Sequence, residues 1–505
     1  MMLKTKSRNQ IKKTLLQYKE YILAGAIILG ALLLRLGILS HTVDFHGVAN
    51  GKILEALMII NNPANIKLWT PVHPPAHILF LIAGIKLFGS FMLIPRLISL
   101  GFGIMTIVVF YLYLKRVFDQ EIALFSILGI SLYSAHIVYS IIATSETSFH
   151  FFLFLSLYVY ELFKQKAERY LLILLGLCVG MAGMCRYEGL LLIPFYIVFL
   201  RKNKLALSEF TIHALIFPGI WLLVNYAAFG NAFEFISSNN FIVPQQINWI
   251  RGQGGNIDFA YKLLFWPRSL IQTLGIGVFA FGLAGVLYSG LKGRIKELSA
   301  IFIMFFSVFV LNTLRETLYL QPRYGITLGL ILIPFSVYLF IKVLEQLNRK
   351  IPKWIVLILL WTMIIPIGEL ILASPLYLPV FAKNTALFLE TNSNSLENIM
   401  IDHCGDEKYR EPIKVLSRIN PLRFVLIPQI INEKNEYALD ENKFFQALRE
   451  ENITTLVYSP YGQLKTVLNL NAQNAPQQRQ GFLFILKYKS APYFIYDIQK
   501  VKNND

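Results

Sequence analysis

The sequence has 505 residues, 55% of them hydrophobic and only 15% charged, with a formal net charge of +17. Soluble domains carry about 25% charged residues, so this composition argues against a soluble protein and for a polytopic membrane chain. The positive charge is not a nucleic-acid stripe, because Lys and Arg stand in short clusters between apolar runs, as in cytoplasmic loops. Cys178, Cys185 and Cys404 form no disulfide framework.

In chain order, a basic cluster (Lys4, Lys6, Arg8, Lys12, Lys13, Lys19) precedes the first apolar run and places the N-terminus in the cytoplasm. The run "YILAGAIILGALLLRLGILS" lacks a small-residue cleavage site and reads as an uncleaved span over 20–40. It delivers "HTVDFHG" to the outer face. The next apolar stretch, 74–114, holds one span or two. Two would put Lys115 and Arg116 outside, together with every later basic cluster. One span over 92–114 puts all of them inside, so 74–90 is expected to be an apolar helix at the outer surface or packed on the bundle, opened by Pro74 and Pro75. Further spans are expected over 122–142, 147–163, 170–185, 188–200, 210–229, 267–290, 298–314, 324–342 and 353–373, about eleven in all. From 376 the runs "NIMID", "RFVLIP", "TTLVYSP", "FLFILKYK" and "YFIYDI" alternate with helical stretches such as "NKFFQALREE", the pattern of a small α/β domain. The expected fold is thus a polytopic α-helical membrane domain, 1–375, with a first outer loop and juxtamembrane helices over 41–91. A soluble extracytoplasmic α/β domain, 376–505, follows.

The outer face should be poor in Arg and Lys, yet Arg96, Arg186, Arg315 and Arg323 all fall at expected outer span ends. A single one reads equally well as a snorkelling or ion-paired side chain. Several beside acidic groups suggest a site for an anionic headgroup, since the arginine fork matches phosphate. Asp44 and Glu146 are the acidic pair at span ends on that face. A carboxylate there suits removal of a proton from an attacking hydroxyl or amine, while arginine stabilises a departing phosphate. The remaining outer loops include a short one around "ATSETSF", one with Arg186, Tyr187 and Glu188, and a long polar loop over 230–266. Six of the eight histidines, His41, His46, His73, His77, His136 and His150, lie on or near the first two outer loops. Zinc needs three or four converging ligands. A metal site at His41, His46, His73 and His77 is therefore the weaker reading, and no cofactor is expected.

Asp44 after the first span, "HPP" at His73–Pro75 followed by "KLFG" and "PRLISLGFG", Glu146 in "ATSETSFHFF", "RYEGLLLIP" and the late "PRY" at Pro322–Tyr324 carry a resemblance. Over about 20–345 the chain resembles the GT-C membrane glycosyltransferases that use polyprenyl-phosphate sugars, such as the protein O-mannosyltransferases and the lipid A aminoarabinose transferases. The resemblance implies a transferase, inverting as in the family, that moves a hexosyl or pentosyl group onto a lipid, glycan or protein acceptor at the outer face of a prokaryotic plasma membrane. It implies Asp44 as the base, Glu146 as the second carboxylate, and His73 and Arg323 toward the donor phosphate. From their place on the outer face, Arg96, Arg186 and Tyr324 are also expected at the donor phosphate, and His46, His77 and Arg315 at the substrate. The chain departs from the family in having Phe45 after Asp44 and no arginine in "SIIATSE". Membrane lipids and the sugar donor are the expected partners. A lipid or glycan flippase, whose charges would lie at the membrane midplane, and a lipid-linked polysaccharide polymerase or ligase are the alternatives.

Overall fold

The computed structural model describes residues 2–42, 47–252, 257–290, 293–318, 320–347, 352–361, 380–393, 397–402, 407–425, 427, 429–431, 437–460, 464–470 and 475–501. The chain divides into two compact units. One comprises Met1–His41, Pro71–His77 and Arg96–Ser374, the other Thr42–Thr70, Ile78–Pro95 and Pro375–Asp505.

The first unit is a helical bundle. Among the described residues, five of its helical segments are long and apolar enough to cross a membrane: Lys19–His41, Ile94–Val117, Lys204–Phe229, Lys296–Leu314 and Pro322–Leu347. Shorter apolar helices include Gln120–Leu132, Arg169–Cys185, Tyr187–Leu200 and Ile276–Ser289. The chain is an integral membrane protein, and the count of eleven full-length spans is not reproduced. In chain order the elements of this unit that bear on the site are α1 (Met2–His41), α4 (Ile94–Val117), α5 (Gln120–Leu132), α6 (Ser134–Tyr139), α7 (Glu146–Lys166) and α8 (Arg169–Cys185). After them come α9 (Leu192–Leu200), α10 (Lys204–Phe229), α11 (Glu234–Gly252), α12 (Phe259–Leu274), α13 (Ile276–Ser289), α14 (Lys296–Leu314) and α15 (Ile326–Leu347).

Three expectations are corrected. The span expected over 122–142 is broken at Tyr133, which takes extended backbone between α5 and α6. Its buried hydroxyl lies 3.3 Å from Thr273 Oγ1, and its ring fills the space above Gly329. The span over 267–290 is broken at Gly275, whose φ of 77° and ψ of 153° are open only to glycine. The polar stretch 230–266 is not a loop: α11 and the start of α12 fill it, and the carboxylate of Asp258 caps α12 by accepting from Tyr261 N at 2.7 Å.

Close helix contacts set where the charged ends fall. Gly176 and Gly180 stand one turn apart on α8, and a Cβ on either would come within 2.7 Å of Phe210 O and 2.9 Å of Ala214 O on α10. Bare glycine at this spacing lets two backbones touch, as small residues do in membrane bundles. α8 packs on both α7 and α10, and Arg186 follows its last turn.

The second unit contains a six-stranded sheet in the order β2-β1-β5-β8-β7-β6. Its strands are β1 (Asn398–Ile401), β2 (Phe424–Val425), β5 (Ile453–Tyr458), β6 (Gln477–Arg479), β7 (Phe482–Ser490) and β8 (Tyr493–Lys500), and a separate pair is formed by β3 (Gln429–Ile431) and β4 (Tyr437–Leu439). β1 is parallel to β2 and β5, whereas β8 is antiparallel to β5 and β7. Adjacent residues of β5 serve opposite faces, as the pleat requires. Leu456 packs with Phe444, Phe445 and Tyr496, and Val457 packs with Ala382, Leu389, Tyr493 and Ile495. Asp402, fully buried at the end of β1, accepts from Ser459 N and Leu464 N, both at 3.1 Å. It is therefore a pin for the loop after β5, while the rest of "HCGD" lies outside the described residues. The helix Gly47–Asn61 belongs to this unit and packs on Glu407–Leu416. Within it, Glu55 Oε1 accepts from Thr70 N and Thr70 Oγ1 at 3.0 and 3.1 Å. The compact units thus differ from the 1–375 and 376–505 division, because part of the 41–91 segment folds with the sheet.

Candidate active site

Glu146 is the first residue of α7 and, far from sitting in an exposed loop, is 1% exposed. An anionic side chain at this position favours the helix N-terminus, but burial requires a charged partner. Two arginines supply it. Arg186, in the extended link after α8, donates from Nη1 to Glu146 Oε1 at 2.6 Å and from Nη2 to Glu188 Oε1 at 2.8 Å. Its guanidinium lies over the Tyr324 ring at 4.6 Å. Burial disfavours the Arg186 charge, yet Glu188 and Glu146 beside it hold its pKa above the ordinary arginine value. Arg323, from the 3-10 turn Pro322–Gly325, meets Glu146 Oε1 at 3.6 Å and the Tyr324 ring at 5.5 Å.

The two arginines are used differently. Arg186 is bonded on both sides of its fork. Arg323 forms an ion pair without a hydrogen bond, and its Nε is buried with no hydrogen-bond partner among the described residues. A buried guanidinium nitrogen that makes no hydrogen bond is costly, and an arginine fork at such a site suits an incoming anion. Tyr139, at the end of α6, lies within electrostatic reach of Arg323, Glu146 and Arg186.

The "HPP" segment is held on the same bundle by two contacts. Tyr187 Oη donates to Pro71 O at 2.6 Å and accepts from Trp221 Nε1 at 3.0 Å, with its ring stacked on Phe235. His77 Nδ1 lies 3.2 Å from Ser148 Oγ, one turn into α7. His73 falls between these two pins.

The dolichyl-phosphate-mannose-protein mannosyltransferase family matches residues 72–229, the part of the chain that carries His73, Glu146 and Arg186. No curated protein matches the sequence as a whole. Among solved structures, ArnT from Cupriavidus metallidurans bound to undecaprenyl phosphate is similar over 93% of this chain and 97% of its own, with a TM-score of 0.62 at 13% identity. The Archaeoglobus fulgidus oligosaccharyltransferase in complex with Zn and sulfate is similar over 86% of this chain and 68% of its own, with a TM-score of 0.58 at 13% identity. The chain has the fold of the GT-C glycosyltransferases.

Within this fold, not every expected residue joins the cluster. Asp44 and His46 lie outside the described residues. Arg96 is 6% exposed and spends its guanidinium on carbonyls, donating to Ile141 O at 2.8 Å and Leu39 O at 3.3 Å. It ties the end of α1 to the link before α7, so the expected phosphate contact gives way to backbone bonding. His77 is fully buried, which corrects its reading as a substrate contact in an open loop. Arg315 is exposed just past α14, while its neighbour Glu316 binds Arg251 Nη2 at 2.7 Å and Lys262 Nζ at 2.5 Å. His41 is exposed at the end of α1 and bonds Gly37 O at 2.8 Å. Among the described residues, no group of three or more His, Cys, Asp or Glu side chains is placed to hold a metal ion.

Two residues entered no expected role. Glu188 completes the Arg186 clamp, and its signal was its place two residues on, in "RYEG". Tyr139 had none, because nothing in "HIVYS" marks one tyrosine for the cluster. Gly189 explains the turn that carries the clamp. Its N–H donates to Arg186 O at 2.8 Å, and a Cβ there would lie 2.4 Å from the Ala182 backbone. Gly189→Ala is therefore expected to push the turn off α8 and destabilise the protein by about 1–3 kcal/mol. A melting curve of the purified variant checks this, and Tyr187→Phe, which keeps the turn, serves as the milder comparison.

Proposed function

We propose that this protein transfers a sugar from a polyprenyl-phosphate donor to an acceptor on the outer face of a prokaryotic plasma membrane. The observation that carries the reading is Arg323, whose buried Nε makes no hydrogen bond among the described residues and stands 3.6 Å from a carboxylate that Arg186 already clamps. Phosphate is the anion whose geometry suits a guanidinium fork. The undecaprenyl phosphate bound to ArnT, which shares the fold, supports the donor class.

In this reading the acceptor oxygen or nitrogen forms a bond to the sugar C1 while the bond from C1 to the phosphate oxygen breaks. The phosphate leaves with the electron pair and gains negative charge. Arg323, with Arg186 beside it, stabilises that charge without donating a proton. Glu146 holds the two arginines side by side against their repulsion. Asp44 is assigned as the base on the resemblance, receiving the acceptor proton as inversion at C1 proceeds. His73 is assigned to the donor phosphate on the same ground. His77 fixes the segment that carries His73, and His46 and Arg315 are kept as substrate contacts. The N-terminus is cytoplasmic in this reading and the sheet domain extracytoplasmic, where it would meet a lipid, glycan or protein acceptor.

The test is transfer from a polyprenyl-phosphate sugar by Asp44→Asn in membranes. Loss of a proton acceptor is expected to lower turnover by about 10²–10⁴-fold with donor binding retained. Undiminished turnover would remove Asp44 from the base role.

A further inference from the structure

Below the Glu146 cluster lies a second polar system that the proposed chemistry does not use. Arg35, six residues before the end of α1, is fully buried with no carboxylate bonded to it among the described residues. Its Nε donates to Ser140 Oγ at 2.9 Å, its Nη1 to Ala31 O and Ser131 O at 3.1 and 3.2 Å, and its Nη2 to His136 Nδ1 at 3.1 Å. A guanidinium has no acceptor. His136 Nδ1 must therefore accept, so the ring carries its proton on Nε2. That Nε2 is buried and has no hydrogen-bond partner among the described residues.

His150, one turn beyond Glu146 on α7, faces His136 with ring centroids 6.3 Å apart. Its Nδ1 is likewise buried and unpartnered among the described residues, while its Nε2 lies 3.0 Å from Thr327 Oγ1 on α15. A donor on one ring and a free nitrogen on the other, both buried, form a site for one bridging water, which accepts from His136 and donates to His150. His150 then carries its proton on Nε2 and donates to Thr327.

The spacing gives this wire a consequence. His150 follows Glu146 by four residues on α7, where this spacing shares a helix face, and Thr327 follows Arg323 by four residues, from the 3-10 turn into α15. α7 is thus joined twice to the continuous stretch Pro322–Leu347: by the Glu146–Arg323 pair at 3.6 Å and by His150–Thr327 at 3.0 Å. The upper contact is loose and lacks a hydrogen bond. The lower one is a directed bond, backed by a tautomer that Arg35 fixes.

We infer that His150 is a positioning residue: its bond to Thr327, supported from behind by a water on His136 and Arg35, sets the α7–α15 register that holds Arg323 against Glu146. The inference rests on the proposed function only for what Arg323 receives.

The experiment uses the full-length protein in liposomes with ¹⁵N-labelled histidine and arginine, read by solid-state NMR. His136 and His150 are both expected as neutral rings protonated at Nε2. Thr327→Val should shift the His150 signals, and His150→Ala should shift the Arg323 side-chain signal, whereas His150→Gln, whose amide places an N–H near the Nε2 position, should leave it in place. A second arm measures undecaprenyl phosphate binding. It is expected to weaken roughly tenfold or more in His150→Ala and Thr327→Val, not to weaken further in the double variant, and to be kept in His150→Gln. An Arg323 signal indifferent to His150→Ala, or a His136 protonated at Nδ1, overturns the inference. Should the native protein fail to bind undecaprenyl phosphate while the NMR arm holds, the donor assignment falls and the positioning role stands.

Discussion

Arg323→Gln is expected to abolish most transfer while leaving the protein as stable as before. Arg323 is nearly enclosed, with 11% of its side chain exposed, and its contact with Glu146 at 3.6 Å is an ion pair without a hydrogen bond. A charge buried this way gives back little of its desolvation cost, and replacing it with a neutral group of similar reach is often neutral or stabilising. Glu146 keeps its stronger partner, because Arg186 remains bonded at 2.6 Å. Function should respond in the opposite sense. If Arg323 meets the departing phosphate, removing that donor should lower kcat by about 10²–10³-fold. The melting midpoint and the turnover of the same preparation check the two halves. A variant that unfolds early would make Arg323 a structural ion-pair partner, and one with native turnover would remove it from the phosphate.

Glu146→Gln is expected to harm both. One oxygen, Glu146 Oε1, receives Arg186 at 2.6 Å and faces Arg323 at 3.6 Å. Without its charge the two arginines stand together in a buried site, balanced among the described residues by Glu188 on Arg186. Breaking a buried pair by removing one partner costs about 3–5 kcal/mol, mostly as the uncompensated charge left behind. The expected outcome is a marked fall in the melting midpoint and loss of transfer. Glu146→Asp, which restores the charge on a shorter stem, should recover part of the stability. Pairing Glu146→Gln with Arg323→Gln should recover stability too, since the second change removes the unpaired cation, but no activity. If Glu146→Gln melts like the native protein, the carboxylate does not hold the arginines together.

How much of this was legible in the sequence follows from what each residue's signal consists of. Glu146, Arg186 and Arg323 stood out because a charge at the end of an apolar run needs a reason. The short β-rich runs alternating with helical stretches from 376 onward marked the sheet domain, because residue type and run length are visible without knowledge of partners. Arg96 carried the same signal as Arg186, yet it bonds carbonyls at Ile141 and Leu39. Which arginines converge is decided by helix packing, such as the Gly176–Gly180 contact with α10, and no local pattern records it. The breaks at Tyr133 and Gly275 were hidden for a related reason. Hydropathy stays high through both, and only the packing of Tyr133 on Gly329 and the backbone of Gly275 end the helices. Asn, Ser and Gln lower the hydropathy of α11, so its sequence reads as a loop.

The central claim is that the Glu146–Arg186–Arg323 cluster receives a lipid phosphate. The most direct measurement is a structure of the protein with undecaprenyl phosphate bound. The account predicts a phosphate oxygen within hydrogen-bonding distance of the Arg323 guanidinium, about 2.7–2.9 Å, with Arg186 still bonded to Glu146. A phosphate bound away from both arginines would contradict it.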